Sequence, residues 1–116
     1  AHVQGQPGLA NLGEVGGAAQ SLGQALALVG RAIELAPASV DAGRARVRLQ
    51  GGLDSVLRAL GREDEREALL AAQEREAQRV LALAPGPDTE LSLALAIANR
   101  AHLLAARGRL AEALPG

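Results

Sequence analysis

The sequence predicts an all-α fold, and three observations carry that prediction. Leu, Val, Ile and Ala recur with a period near 3.6 residues over long stretches. Pro37, Gly61 and Pro85 cut those stretches into helix-sized lengths. Strict alternation of apolar and polar residues is never sustained, and the aromatic residues that favour strands are absent.

The elements follow in order. Residues 1–7 carry Gly5 and Pro7 without periodicity and read as a flexible end. Leu9 to about Gly17 reads as a weak, separate helix, because Gly13, Gly16 and Gly17 each cost ~1 kcal/mol against Ala. A stronger helix is predicted over 18–35. Its stripe of Leu22, Ala25, Leu26, Val29, Ala32 and Ile33 keeps i, i+3, i+4, i+7 spacing. Pro37 stops it, and Ser39 is a good N-cap for a helix over 39–60. Gly61 then suits the left-handed residue that closes a helix. The next helix, 63–84, opens on Glu63-Asp64-Glu65, where carboxylates face the positive end of the helix dipole. Pro85-Gly86-Pro87 breaks the chain. Asp88 or Thr89 is expected to cap a last helix over 89–107, which is apolar almost all round from Leu91 to Ala98 and is therefore expected to be central. Leu53, Leu57, Val80, Leu81, Ile97, Ala101 and Leu104 are the expected core.

Composition narrows function. The chain has 116 residues, enough for a single domain, with 48% apolar residues but no Phe, Tyr, Trp, Met or Cys. A net charge of −1 provides no general attraction to nucleic acid or anionic membrane. Without cysteine there is no disulfide and no thiolate metal site. No apolar run reaches the ~18 residues that span a bilayer. Nucleophile elbows, phosphate-binding glycine loops and paired metal-binding histidines are missing, so neither an enzyme nor a cofactor or metal site is expected. The start, Ala1-His2-Val3-Gln4, has neither Met nor a signal-peptide pattern, and the chain is expected to be a piece of a longer one.

The chain also echoes itself. Ala36-Pro37 returns as Ala84-Pro85 after 48 residues, and Leu60-Gly61-Arg62 as Arg107-Gly108-Arg109 after 47. A fixed period of this size suggests stacked helix pairs. Leu9, Leu12-Gly13, Ala25, Ala32 and Pro37 resemble one tetratricopeptide repeat, a helix–turn–helix over Leu9–Ser39. Ile97, Ala101, Leu104, Gly108 and Ala113 resemble the opening of another, and Leu53, Leu57, Gly61 and Pro85 a degenerate one between them. The resemblance implies a right-handed stack of antiparallel helical hairpins within a single helical-repeat domain. The alternative is a four-helix bundle.

Two polar faces are candidate sites. Arg44, Arg48, Ser55 and Arg58 share one side of their helix, and planar guanidinium groups suit carboxylates. Asp54, four residues before Arg58, is the expected local neutraliser. Ser92, Asn99 and His102 lie together on the last helix. The resemblance implies a groove in which Asn11 and Asn99 hold equivalent places, positions where the family often has an Asn that binds a ligand backbone. It also puts Arg48, Ser55, Arg58 and His102 on the groove side. The family's chaperone-tail clamp needs a basic residue near Ala10 and an Asn at Glu14, and both are absent. The expected function is a non-enzymatic protein-interaction scaffold that binds an acidic peptide segment of a partner. The alternative is a structural bundle that self-associates, with the short helix opening at Leu110–Leu114 as one contact.

Overall fold

The computed structural model describes residues 7–109 and 112, with side chains from residue 13 onward. Four helices follow one another: α1 (Pro7–Leu35), α2 (Val40–Leu60), α3 (Glu63–Leu83) and α4 (Pro87–Ala106). There is no strand among the described residues.

The first difference from the sequence reading is in α1. It runs unbroken through Gly13, Gly16 and Gly17, so no helix–turn–helix forms over Leu9–Ser39. Extending an existing helix needs no new nucleus, and a few glycines with neither proline nor a cap do not stop it. The remaining ends fall close to expectation. Ser39 accepts a hydrogen bond from the Ala42 N–H at 3.2 Å and caps α2. Gly61 takes φ 73°; its N–H donates to Arg58 O and that of Arg62 to Leu57 O. That pairing satisfies the last carbonyls of α2. Gly108 repeats it at φ 75°, with its own N–H on Ala105 O and that of Arg109 on Leu104 O. The two glycine echoes are therefore the same helix-ending device. Pro87, not Thr89, begins α4, because proline lacks the N–H that a first helical residue leaves unbonded. Thr89 is buried and donates its hydroxyl to Ala84 O at 2.7 Å and to Gly86 O at 3.1 Å, holding the turn instead of capping the helix.

Each helix packs on its predecessor: α1 on α2, α2 on α3, α3 on α4. The array is open, with a Cα radius of gyration of 15.8 Å against about 13 Å for a compact domain of this length. This overturns the expectation for α4. It lies at the edge of the array, and Leu91 and Leu95 are 59% and 55% exposed. All-round hydrophobicity in this helix leaves one face unpartnered.

Ile33, Leu57, Leu70, Ala77, Val80, Ala96, Leu103 and Leu104 are buried. Leu53, Leu81, Ile97 and Ala101 are half-buried, and Ala32 is exposed. A single file of helices buries only the strip where two of them touch, so flanking apolar positions keep part of their exposure. The α2–α3 interface includes buried polar contacts. Gln73 donates Nε2 to Val47 O at 3.0 Å. The buried Glu76 carboxylate lies 2.6 Å from Arg79 Nη2 and 3.5 Å from Arg46 Nη1. Gln50 and Gln73 each bury a side-chain carbonyl oxygen with no hydrogen-bond partner among the described residues.

Candidate peptide groove

Because α3 runs antiparallel to both of its neighbours, α2 and α4 run parallel on either side of it. Their ends show the register. Near the start of both helices, Arg44 Nη2 lies 4.0 Å from Asp88 Oδ2. Near their other ends, Arg58 of α2 shares a cavity of about 580 Å³ with Asn99 and His102 of α4. Leu103 and Ala106 form its apolar side, and Asp54, Glu63 and Arg66 complete it.

Arg66 rises from the first turns of α3. Its Nε donates to Asp54 Oδ1 at 2.8 Å and its Nη1 to Glu63 Oε2 at 3.0 Å. The hydrogen bond with Asp54, ahead of that with Glu63, pushes the already basic guanidinium further up. Asp54 is therefore committed across the α2–α3 hairpin and does not neutralise Arg58, as the spacing along α2 suggests. Arg48 and Arg58 are both exposed and have no carboxylate partner among the described residues. The cavity balances two carboxylates, Asp54 and Glu63, against Arg58 and Arg66. It is a mixed-charge site with one free cation, Arg58, rather than a uniform basic stripe.

Of the residues singled out from sequence, Arg58, Asn99 and His102 are brought together. Arg44 is half-exposed and tied to Asp88. Ser55 is exposed and turns its hydroxyl back to Gly51 O at 3.4 Å, and Arg48 is exposed outside the cavity. Asn11 sits in the part of α1 whose side chains lie outside the described residues, as does most of Leu110–Leu114. The sequence reading missed Arg66 and Asp54 as groove residues. The signal was present, since the two lie equally far on either side of Leu60, where an antiparallel hairpin brings them level.

Among the described residues, no three His, Asp or Glu side chains gather in a way that could hold a metal ion. No described helix is long and apolar enough to cross a membrane. The chain matches no family model, no curated protein and no solved structure.

Proposed function

We propose that this chain is a non-enzymatic helical-hairpin scaffold, tetratricopeptide-like in kind, that holds an acidic peptide segment of a partner protein between α2 and α4. The observation that carries the reading is the exposed guanidinium of Arg58, without a carboxylate partner among the described residues, in the cavity it shares with Asn99 and His102; Arg48, likewise without one, lies ten residues earlier on α2. Arg66, by contrast, already holds Asp54 and Glu63, and Arg44 lies 4.0 Å from Asp88. From Arg44 to Arg58 the helix rises about 21 Å, which accommodates roughly six residues of extended peptide. Carboxylates of the segment would take Arg48 and Arg58, Asn99 would bond its backbone, and small apolar side chains would lie on Leu103 and Ala106.

The test begins with selection from a random peptide display library. The selected peptide is then titrated by fluorescence anisotropy against the parent chain and against Arg48→Glu and Arg58→Glu. Enrichment of Asp and Glu, weakening by both variants, and loss of affinity with rising salt are expected. If both variants bind as the parent does and salt has no effect, the arginines form an ordinary solvated face and the reading fails.

A further inference from the structure

The echoes in the sequence define two registers. The Ala-Pro pairs relate α1 to α3 by 48 residues, and the glycine ends relate α2 to α4 by 47. The packing obeys both. Among the residues lining one cavity between α1 and α2 are Gly16, Ala19 and Gln20 from α1, with Leu53 of α2 and Arg62. Among those lining the cavity between α3 and α4 are Asp64, Glu67 and Ala68, with Arg100 and Arg109. Each of these five pairs is related by its helix's own register. At these five positions the hairpins α1–α2 and α3–α4 are thus packed alike.

This equivalence assigns a role to the outer faces. At the α2–α3 junction, Asp54 pairs with Arg66, Val47 with Gln73, Arg46 with Glu76, and Gly43 lies against Val80. Transposed by the registers, the α3 side becomes Ala18, Ala25, Leu28 and Ala32 on α1. The α2 side becomes Ala101, Ala94, Leu93 and Glu90 on α4. Neither face has a helix beside it comparable to the α2–α3 junction. Leu28 is 63% exposed, Ala32 and Ala94 are exposed, and Leu93 and Ala101 are half-buried.

We propose that α4 of one molecule docks on α1 of a second copy, so that molecules stack head to tail and the α2–α3 packing recurs between chains. Three of the four replacements are matched in pairs, which points to the second copy rather than to an unrelated partner; at the fourth, Glu90 stands for Gly43 and Ala32 for Val80, so the small residue passes from the α2 side to the α1 side. Where Arg46 meets Glu76 within the chain, Leu93 would meet Leu28 of the next molecule. Where Asp54 meets Arg66, Ala101 would meet Ala18. Both members of each charged pair are apolar together, so the junction would leave no carboxylate or guanidinium of these pairs unpaired. The same chain carries both complementary faces, one at each end. Such a contact is heterologous and does not close on itself, so assembly is open-ended and depends on concentration. None of these residues lines the α2–α4 groove, and the proposal stands independently of the peptide reading.

Sedimentation velocity of the whole chain from micromolar to millimolar concentration tests the proposal, together with Leu28→Arg and Ala94→Arg. Both substitutions fall on solvent-facing helix positions, and circular dichroism checks that each variant keeps its helicity. The parent is expected to form a ladder of species that grows with concentration, and each variant alone to remain a monomer. An equal mixture of the two is expected to form a dimer and nothing larger, because each variant retains one competent face. A parent that stays monomeric throughout leaves these faces to a different chain and overturns the proposal. So does self-association of Ala94→Arg alone, which would mean that two copies of α1 pair with each other. A mixture that yields no dimer overturns it as well.

Discussion

Replacing Gly43 by alanine sets two ordinary effects against each other, and the structure decides the sign. Gly43 is buried inside α2, where alanine alone would favour the helix by ~1 kcal/mol. An alanine Cβ there would lie 2.6 Å from Val80 Cγ2, 3.1 Å from Arg79 Nη2 and 3.3 Å from Glu76 Oε2. Carbon atoms rest at about 3.5–4.0 Å, so α2 and α3 must part by about 1 Å at this point. Val80 is only 3% exposed, and its branched Cβ leaves it one strongly preferred helical rotamer. Overpacking of this kind costs about 1–3 kcal/mol, and the upper part of that range applies because the Glu76–Arg79 pair is displaced too. The expected net result is a loss of about 1–2 kcal/mol, read as a lower urea midpoint with an unchanged slope. Gly23 provides the control. Its added Cβ meets nothing within 4 Å, so Gly23→Ala is expected to stabilise by about 0.5–1 kcal/mol. If Gly43→Ala is as stable as the parent while Gly23→Ala gains, the close approach of α2 and α3 is refuted.

Three further outcomes are expected. Leu104 is 1% exposed, so Leu104→Ala should cost about 2–5 kcal/mol in the same urea assay; Leu91→Ala, at an exposed site, should stay within about 0.5 kcal/mol of the parent, and equal losses would contradict the edge position of α4. Glu76→Ala leaves Arg46 and Arg79 without their shared carboxylate and is expected to cost roughly 3 kcal/mol; a loss no larger than that of an exposed substitution would show that the pair is solvated. The hydrogen bond from Arg109 holds the Glu112 carboxyl below the usual carboxylate range. Its contribution to stability is therefore complete above the ordinary carboxylate pKa and disappears as the pH falls through the lowered one. A carbon-detected NMR titration should show the Glu112 midpoint rising in Arg109→Ala, and an unchanged midpoint would break the assignment.

Helix ends were the most legible part of the fold, because they are set locally. Ser39 caps, Gly61 and Gly108 take left-handed backbone, and Pro85-Gly86-Pro87 interrupts, each for reasons contained within a few residues. The same locality misled at Gly16-Gly17, where low propensity suggested a break and the continuing helix absorbed the cost. The candidate site was legible in part. Arg44, Arg48, Ser55 and Arg58 share a face by spacing alone, and Asn99 and His102 do likewise on α4. That Arg58 meets Asn99 and His102, and that Asp54 is drawn away from Arg58 by Arg66, depends on how α2, α3 and α4 lie side by side.

By itself, then, the sequence determined the helical class, the breaks at Pro37, Gly61 and Pro85, the caps at Ser39 and Gly61, and a period of 47–48 residues. These rest on backbone hydrogen bonding and steric limits that act within a turn or two of helix. Only the tertiary structure decided which apolar faces are covered, that α4 is an edge, and which arginines are left without a carboxylate. Burial and ion pairing are properties of neighbours distant in sequence. A helix face written in Leu and Ala reads the same whether the next helix lies against it or a second molecule must.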